Sequence, residues 1–337
     1  MLEGKKILVT GPAGQIAFPL ACTLAQSNEV WGIARFTDPA SREKVEAAGV
    51  RAHAGDLATG DFAGLPDDFD YVLHLATYRS GGLDYDQALR VNAEGTQLLL
   101  EHCRSSSAVL VMSTSEVYKP QADPHHHYSE SDPLGDSNSL IDPTYSVSKI
   151  SQEAVARACA RAYDIPVVIA RMNASYGDNG GLLAYHLDWI LSGKPVMVKW
   201  DPAMYSPIHE DDIFGQAEAL LGAASVPATI VNWAGDEPVS AQEWCGYMGE
   251  LTGLEPQVTV REVLAAYGAS RTTSPGAPRS PDPAGYRGER ASNGSSNTGC
   301  ATVPAAPRSP PFRPDSCRRS RIGRRAELQD NPYRQGS

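Results

Sequence analysis

A short apolar segment that runs straight into a glycine-containing turn limits the fold of this chain more than any other feature. The segment Lys5–Thr10 ends in Gly11-Pro-Ala-Gly14-Gln-Ile-Ala17, and a helical pattern follows to about Gln26. Glycines in such a turn let the backbone approach a phosphate, and the amino end of the next helix attracts its charge. The order of strand, turn and helix therefore predicts a nucleotide-binding α/β fold, with a plain tight turn as the alternative.

The composition is ordinary for a globular protein, and the chain is long enough to form a sizeable core. The chain has 337 residues, of which 42% are hydrophobic and 20% are charged, as in soluble enzymes. It has no run of about 18 apolar residues and no signal-peptide pattern at its start, so we expect no membrane segment. Its six cysteines are scattered without C-x-x-C spacing. We therefore expect a cytoplasmic protein with reduced thiols and no metal site.

The net charge of −11 conceals two unlike parts of the chain. From Gly268 onward there are 12 Arg, no Lys and 5 acidic residues, while the first 267 residues hold 17 basic and 35 acidic ones. The acidic body argues against a nucleic-acid partner. The last 70 residues contain 10 Pro and 10 Ser but only four Val, Ile, Leu or Phe. Because this composition cannot bury a core, we expect residues 267–337 to be a disordered, low-complexity tail. Its origin is either a shift of the reading frame or selection as a basic interaction segment.

The end of the second predicted strand indicates which dinucleotide is preferred. In dinucleotide-binding folds an acidic residue near this point binds the ribose 2′-hydroxyl, whereas an arginine suits a 2′-phosphate. The strand Glu29–Arg35 ends in Arg35, and the nearest acidic residue is Asp38. This favours NADP over NAD, with a solvated arginine as the alternative interpretation.

The next two strand ends offer further contacts for a cofactor. Asp56 follows the third predicted strand, Val50–Ala54, where it can bind an adenine amino group or cap the next turn. The fourth predicted strand, Asp70–Thr77, ends in the small residues Ala76 and Thr77. Small side chains at that position let a cofactor lie across the end of the strand.

Several other polar residues in this half are interpreted as structural. His74 is flanked by apolar residues, which indicates a buried structural histidine rather than a catalytic one. Asn92 lies in a predicted helix from about residue 84 to 103, where its amide can link helix to strand. The adjacent histidines His125-His-His127 do not share a face, so we expect exposed loop residues and not metal ligands.

The fifth predicted strand carries polar side chains to the sheet edge at which open α/β folds bind ligands. The strand Ala108–Met112 continues into Ser113-Thr-Ser-Glu-Val-Tyr118. Thr114 can hydrogen-bond a substrate oxygen, and Glu116 can serve as an acid or base. The alternative for Glu116 is a solvated loop residue.

Tyr145 and Lys149 lie four residues apart in a helical pattern that runs to about Tyr163. Side chains at this spacing share one helix face. An ammonium near a phenol favours the phenolate, so Lys149 is expected to lower the pKa of Tyr145 from about 10 toward working pH. The pair therefore indicates a general acid/base with a lysine that has donors to spare for a ribose, although two surface residues can carry the same spacing.

Taken together, these segments resemble the extended short-chain dehydrogenase/reductase superfamily, in its NAD(P)-dependent epimerase/dehydratase family. The resemblance covers roughly residues 5 to 260. It implies a doubly wound parallel α/β sheet (a Rossmann fold) with a small C-terminal substrate domain. The matching motifs are Gly11-x-x-Gly14-x-x-Ala17, Gly55-Asp-Leu57, His74-Leu-Ala76, Val91-Asn-Ala-Glu-Gly-Thr96, Ser113-Thr-Ser-Glu-Val-Tyr118, Tyr145-x-x-x-Lys149 and Arg171 through Gly177.

The resemblance also implies domain limits and site residues. The dinucleotide-binding domain is expected over residues 1–175 and the substrate region over 176–266, with 205–232 returning to the first domain. The expected catalytic residues are Thr114, Tyr145, Lys149 and Glu116. The expected cofactor-binding residues are Gly11, Gly14, Gln15, Ile16, Arg35, Asp56, Leu57, Leu75, Ala76, Thr77, Asn92, Tyr145 and Lys149. The expected substrate-binding residues are Ser115, Asn173 and Lys199.

Two departures from the family pattern leave the substrate open. The motif Asn173-Ala-Ser-Tyr-Gly177 is displaced by one residue, and Trp200–Ser206 lacks the arginine that grips a sugar diphosphate in the family. Glu116 favours an epimerase or dehydratase that acts on a nucleotide-activated sugar with a retained cofactor. Arg35 and the missing arginine favour an NADPH-dependent reductase of a small carbonyl compound. A dinucleotide-binding sensor is a third class, which the intact Thr-Tyr-Lys set argues against, and a homodimer is the family habit.

Overall fold

The computed structural model describes residues 2–79, 81–135 and 142–261. The predicted tail, 267–337, lies outside these residues. The strands are β1 (Lys6–Thr10), β2 (Glu29–Ala34), β3 (Arg51–Ala54), β4 (Tyr71–His74), β5 (Ala108–Thr114), β6 (Val167–Met172), β7 (Ser175–Gly177), β8 (Gly180–Gly181), β9 (Val196–Val198), β10 (Met204–Tyr205), β11 (Ile208–His209), β12 (Thr229–Trp233), β13 (Val239–Ser240) and β14 (Val258–Val260). The helices are α1 (Ala17–Ala25), α2 (Pro39–Ala47), α3 (Tyr85–Leu89), α4 (Gly95–His102), α5 (Tyr145–Tyr163), α6 (Leu182–Leu191), α7 (Glu210–Gly222) and α8 (Ala241–Thr252).

A seven-stranded parallel sheet forms the centre of the molecule, in the order β12-β6-β5-β4-β1-β2-β3. Every residue of β5 and β6 is buried, because helices cover both faces of such a sheet. The direction in which successive strands are added reverses at β1, because β2 and β3 lie on one side of it and β4, β5 and β6 on the other. Ligands bind at the carboxyl ends of the strands at this type of reversal. The predicted Rossmann fold is confirmed.

Apolar side chains form one cluster on each face of the sheet and a smaller one beside it. Helices α1 and α7 contribute to the first cluster, and α4 and α5 contribute to the second. The third cluster joins α6 and α8 to β9, and two tryptophans, Trp189 and Trp244, pack in it. No helix within the described ranges is both long and apolar enough to cross a membrane.

The helix predicted from about residue 84 to 103 is interrupted. Between α3 and α4 the chain forms a π-helical segment, Arg90–Glu94, which contains Asn92. Wider turns of this kind are frequent at functional sites. Here the segment packs against α5, the helix that carries Tyr145.

Helix α7 begins three residues earlier than expected and has a different cap. The sequence predicts an acidic cap before Ile213, whereas the ring of His209 accepts the N–H of Asp211 at 3.2 Å. The acidic residues therefore occupy the first turn, where the helix dipole favours them. The S-x-x-E pattern of Ser240 and Glu243 predicts a capping box for α8, and the structure confirms it, since the two residues exchange hydrogen bonds through their side chains and backbone.

A buried ion pair fastens α5 to the sheet. Arg171 on β6 donates to both carboxylate oxygens of Glu153 on α5, at 2.9 and 2.7 Å, and their side chains are 2% and 4% exposed. The hydroxyl of Ser113 on β5 donates to the same carboxylate at 2.5 Å. Two parallel bonds to one carboxylate fix its direction as well as its distance. The helix is thereby held in one register above the ends of β5 and β6.

Removal of the arginine is expected to destabilise the fold strongly, because it leaves the Glu153 charge buried without its counter-ion. Arg171→Met should lower the free energy of unfolding by about 3–5 kcal/mol. The double variant Arg171→Met with Glu153→Leu should recover most of this loss. Urea denaturation followed by circular dichroism measures both.

The exposed pair of Arg42 and Glu46 on α2 provides the matched control. Arg42→Met should cost less than about 1 kcal/mol, because water already solvates both partners. An Arg171→Met variant no less stable than Arg42→Met would contradict the assigned role of the buried pair.

Candidate active site

The predicted site residues converge on the carboxyl edge of the sheet. Thr10, His74 and Thr114 are the last residues of β1, β4 and β5, and these three strands are neighbours in the sheet. Helix α5 starts at the same edge, so Tyr145 lies in its first turn. The site is therefore built from residues up to 135 positions apart in the sequence.

The glycine turn has the geometry of a phosphate cradle. Gly11 has φ +65°, and a Cβ atom there would lie 3.2 Å from the Cα of Ala76. The N–H of Gly14 donates to the carbonyl of Gly11 at 2.9 Å. Helix α1 then begins after Ile16 with no side-chain cap and no acidic residue in its first turn. A helix end without a side-chain cap or an acidic residue fits the pyrophosphate of a dinucleotide.

Gln15 lies in this turn and also holds a neighbouring hairpin against it. Its side-chain Nε2 donates to the hydroxyl of Ser175 at 3.1 Å. In return, Nδ2 of Asn179 donates to the Gln15 carbonyl at 2.7 Å. Strands β7 and β8 are thus fastened over the glycine turn, a contact that no local pattern in the sequence predicts.

Arg35 is exposed directly after β2, beside the glycine turn. The N–H of Gly11 donates to the carbonyl of Ile33 at 2.9 Å, which brings the end of β2 against that turn. The nearby carboxylate of Asp38 accepts the N–H of Ala40 at 3.0 Å and caps α2. Arg35 is therefore the side chain at this strand end that can meet a 2′-phosphate.

Asp56 caps the turn that follows it, one of the two roles that the sequence left open. Its Oδ1 atom accepts the N–H of Ala58 at 2.9 Å. The adjacent Leu57 is buried against α4, where Gly95 leaves room for its backbone. A contact between Asp56 and an adenine ring stays a prediction.

A buried chain of hydrogen bonds runs from the sheet to α5. Nδ1 of His74 pairs with the hydroxyl of Thr10 at 2.9 Å, and its Nε2 lies 2.8 Å from Thr96 and 3.1 Å from Nε2 of Gln152. The Oε1 atom of Gln152 accepts from Nζ of Lys149 at 2.6 Å. The pKa of His74 is lowered to about 3, mainly by burial and secondly by the charge of Lys149. The prediction that His74 is a buried structural histidine is confirmed.

The same network shapes the loop after β4. The hydroxyl of Thr10 accepts the N–H groups of Leu75 and Ala76 at 3.0 and 2.9 Å. Asn92 accepts the N–H of Tyr78 at 2.7 Å and donates to Ser148 on α5 at 2.9 Å. The expected structural role of the Asn92 amide is confirmed by these bonds. Its contact with a cofactor, like those of Leu75, Ala76 and Thr77, stays a prediction.

The expected effect of Lys149 on Tyr145 is wrong in this structure. Nζ of Lys149 donates to the carbonyl of Met112 at 2.7 Å and to Gln152, and burial lowers its pKa to about 7. Burial also raises the pKa of Tyr145 above its ordinary value. The charge that opposes this rise belongs to Arg79, and a hydrogen bond with Thr114 acts in the same direction. Helical spacing places two side chains on one face but does not determine how deeply each is buried.

Arg79 and Asp142 are site residues that sequence reasoning missed. The guanidinium of Arg79 lies 4.5 Å from the centroid of the Tyr145 ring, and its Nε donates to Asp142 at 3.1 Å. The only local signal was the position of Arg79 just beyond a predicted strand end. Its partner lies 63 residues away, so only the fold reveals the pair.

Glu116 reaches this group of side chains from the short 3₁₀ helix after β5. Within the described ranges, its Oε2 atom is buried and has no hydrogen-bond partner. The carboxylate acts on the pKa values of Tyr145 and Arg79. Burial, and next the Glu116 charge, raise the pKa of Tyr205 on β10 to about 12. A carboxylate that has an oxygen free of protein partners and whose charge acts on Tyr145 can serve as a second acid or base.

No hydrogen bond within the described ranges joins the predicted substrate-binding residues to one another. Ser115 opens the 3₁₀ helix beside Thr114. Asn173 accepts the N–H groups of Ala174 and Ser206 at 2.8 and 3.2 Å, which anchors the segment after β10. Lys199 follows β9 and is half-buried. Their contacts with a substrate stay predictions.

Comparison with known proteins identifies the family. A model of the NAD-dependent epimerase/dehydratase family matches residues 7–203. The chain belongs to this family. It is therefore an enzyme of the extended short-chain dehydrogenase/reductase type that works with a nicotinamide dinucleotide.

Three proteins illustrate the similarity. A UDP-glucose epimerase of Bacillus subtilis, YtcB, described as uncharacterized, is 26% identical over 280 residues, which cover 77% of this chain and 86% of that protein. The D-erythronate dehydrogenase of Cupriavidus necator is 32% identical over 133 residues, or 35% of this chain and 41% of that one. The UDP-glucuronic acid 4-epimerase from Bacillus cereus, solved with UDP-glucuronic acid and NAD, is 25% identical with a TM-score of 0.65, covering 76% and 86% of the two chains.

The buried His74 is expected to make the fold sensitive to acid. Its pKa is about 3 in the folded protein and about 6.5 in an unfolded chain. Between these values the unfolded chain binds the extra proton, so the free energy of unfolding falls as the pH drops from about 6.5 toward 3. His74→Asn should be less stable than the parent at neutral pH and should lose less stability on acidification. Urea denaturation at a series of pH values measures this slope.

The exposed His127 serves as the control for that series. His127→Asn should follow the parent protein at every pH. If His74→Asn also follows the parent in slope, another group governs the acid sensitivity.

Proposed function

We propose that this protein is an epimerase or dehydratase that acts on a nucleotide-activated sugar through reversible hydride transfer. The observation that carries the proposal is Glu116, whose Oε2 atom is buried without a hydrogen-bond partner among the described residues and whose charge acts on Tyr145. A simple carbonyl reductase needs one proton donor, whereas dehydration, which also removes a substituent, uses a second acid/base. The similarity to a UDP-glucose epimerase and to a UDP-glucuronic acid 4-epimerase supports the substrate class.

The residues divide the work by their positions. A bound nicotinamide dinucleotide supplies the group that accepts a hydride and returns it. The turn at Gly11 and Gly14 and the amino end of α1 would hold the pyrophosphate of that cofactor. Lys149 has three N–H donors when charged, of which two are bound to Met112 and Gln152. The third is left for a ribose hydroxyl.

Tyr145 moves the proton that accompanies the hydride. Its phenolate takes the proton of a sugar hydroxyl, and its hydroxyl returns the proton in the reverse step. Thr114, which hydrogen-bonds Tyr145, orients the sugar oxygen. Glu116, whose charge acts on Tyr145, takes or gives a second proton when a substituent is removed from the sugar. Burial of this group excludes water and strengthens each of these interactions.

We further propose that NADP is preferred over NAD. Arg35 stands at the end of β2 beside the glycine turn, and Asp38 is bound to the amino end of α2. An arginine there complements a 2′-phosphate, which a carboxylate would repel.

A second function, the NADPH-dependent reduction of a small carbonyl compound, is favoured by one segment. Residues Trp200–Ser206 contain no arginine for a diphosphate, although arginine is the residue that binds such groups in two places at once. The similarity to a D-erythronate dehydrogenase over part of the chain agrees with a small substrate. This hypothesis gives Tyr145 the same role and leaves Glu116 without one.

Tyr145→Phe is expected to stop turnover without loss of cofactor. Because general acid/base groups contribute about 10²- to 10⁴-fold to rates, conversion of a UDP-sugar should fall by that factor, while dinucleotide affinity measured by calorimetry stays the same. Tyr163→Phe, at the other end of α5, should be as active as the parent. A protein that leaves every nucleotide sugar unchanged but oxidises NADPH in step with a small aldehyde or ketone would establish the reductase instead.

Arg35→Ala is expected to weaken NADP selectively. A hydrogen bond to a charged group contributes about 1.5–3 kcal/mol, so the Kd for NADP should rise about tenfold or more while that for NAD changes little. Titration calorimetry with both dinucleotides gives the ratio. Arg51→Ala, whose guanidinium pairs with Glu29 at 2.9 Å, is the control. An equal loss for NAD and NADP would overturn the proposed preference.

Other properties expected from the sequence stay predictions. They are the division into a domain of residues 1–175 and a substrate region of 176–266, the homodimer, and the cytoplasmic location.

A further inference from the structure

Arg79 places a guanidinium at the rim of the proposed active site. The residue follows β4, and its Cζ atom lies 4.5 Å from the centroid of the Tyr145 ring. Its side chain is 47% exposed, so a ligand that enters from solvent can reach it. Burial acts against its charge, yet neighbouring ionisable groups raise the pKa of Arg79 above its ordinary value. The site therefore carries a permanent cation beside the proposed proton carrier.

A buried carboxylate fixes the direction of this guanidinium. Nε of Arg79 donates to Oδ2 of Asp142 at 3.1 Å, and the Asp142 side chain is 3% exposed. Oδ1 of Asp142 accepts the hydroxyl of Thr144 at 3.3 Å, and the Asp142 carbonyl accepts the N–H of Tyr145 at 3.1 Å. The residue that orients Arg79 therefore also holds the start of the helix that carries Tyr145.

The two terminal nitrogens of Arg79 are left for a ligand. Within the described residues, Nε is the one atom of this guanidinium that donates a hydrogen bond. A guanidinium has five N–H donors in a planar fork, so its terminal nitrogens offer four of them. A fork of this kind binds both oxygens of one carboxylate and thereby fixes its direction as well as its distance.

The position of Arg79 indicates which part of a substrate it meets. A hydroxyl that gives its proton to Tyr145 has to come within about 3.2 Å of the phenol oxygen. An anion bound to Arg79 then lies close to that hydroxyl, on the same carbon skeleton. The diphosphate of a nucleotide sugar is expected elsewhere, at Lys199, which follows β9. Arg79 is thus suited to an acid group on the sugar itself.

We propose that Arg79, oriented by Asp142, binds a carboxylate of the substrate, so that the substrate is a sugar acid and not a neutral sugar. The two-point contact holds the sugar in one orientation, with its reacting hydroxyl against Tyr145, and such positioning contributes to the rate of the chemical step. This inference rests on the proposed function, in which Tyr145 carries the proton, and it narrows the substrate class of that function.

Glu116 carries the charge that opposes such a ligand. Its carboxylate acts on both Arg79 and Tyr145, and like charges that share a site repel each other. An acid bound to Arg79 therefore has to overcome this repulsion, and neutralisation of Glu116 should strengthen the binding of the acid. A purely structural role for Arg79 predicts no such effect.

Two nucleotide sugars that differ in one group test the proposal by equilibrium binding. UDP-glucuronic acid has a carboxylate where UDP-glucose has a hydroxymethyl group. Titration calorimetry with the dinucleotide-loaded protein gives both Kd values, and every protein carries Tyr145→Phe so that turnover does not disturb the titration. This reference protein should bind the acid about tenfold or more tightly than UDP-glucose. Addition of Arg79→Gln should abolish the preference and leave the Kd for UDP-glucose unchanged, whereas addition of Glu116→Gln should increase the preference.

Arg42 on α2 provides the matched control. Its guanidinium is also 47% exposed and also pairs through Nε with one carboxylate, that of Glu46. Arg42→Gln should keep the full preference for the acid. Arg79→Lys keeps the charge but not the planar fork, so it should keep part of the preference. Circular dichroism and urea denaturation establish that each variant is folded.

Three results would overturn the proposal. The first is equal affinity of the reference protein for the two nucleotide sugars. The second is an equal loss for both sugars in Arg79→Gln, which would assign Arg79 to the diphosphate. The third is a loss confined to the dinucleotide, which would assign Arg79 to the cofactor.

Failure of the proposed function gives a different result. A protein that binds neither nucleotide sugar does not act on this class of substrate, and D-glucuronate and D-glucose then replace the two ligands in the same titrations. A preference for the free acid that Arg79→Gln abolishes would support the carboxylate site without the nucleotide. No binding of either acid would overturn it.

Discussion

The buried hydrogen-bond chain from Lys149 through Gln152 and His74 to Thr10 is the interaction on which the site depends. A fully buried ammonium costs several kcal/mol unless its donors are satisfied. Here the Met112 carbonyl and Gln152 satisfy two of them. Because the chain crosses from α5 to β4 and β1, it fixes the helix above the strand ends. The start of α5, just over one turn before Lys149, is thereby brought beside the end of β5.

Burial also decides how charge is distributed in the site. It lowers the pKa of Lys149 to about 7 and raises that of Tyr145, so each group is moved toward its neutral form. Arg79 is half-exposed and keeps its charge, because water and the carboxylates of Glu116 and Asp142 stabilise it. The structure thus places a permanent cation at the rim of the site and a titrating one beneath it. The charge of Glu116, whose Oε2 atom is buried, acts on both Tyr145 and Arg79.

The described part of the molecule has to bind an anionic cofactor although the first 267 residues carry twice as many acidic as basic residues. Long-range electrostatic attraction cannot draw in this cofactor, because charges on the protein surface are screened beyond about 8–10 Å. We propose that local hydrogen-bond donors bind it instead. The uncapped amino end of α1 and the turn at Gly11 supply backbone N–H groups and a partial positive charge. The hairpin of β7 and β8, fastened by Gln15 and Asn179, shields the same turn.

The sequence by itself determined the Rossmann fold, the family and the order of most elements, because spacing along the chain sets which side chains share a face or follow a strand. The glycine turn, the end of α5 near Tyr163 and the burial of His74 were all predicted in this way. Tertiary structure alone decided the π-helical interruption at Asn92, the clasp between Gln15 and Ser175, and the contacts of Lys149 with Met112 and of Arg79 with Asp142. Lys149 finds its carbonyl 37 residues away and Arg79 its carboxylate 63 residues away. The ionisation of a side chain follows from its burial and from neighbours of this kind, and neither is encoded in local spacing.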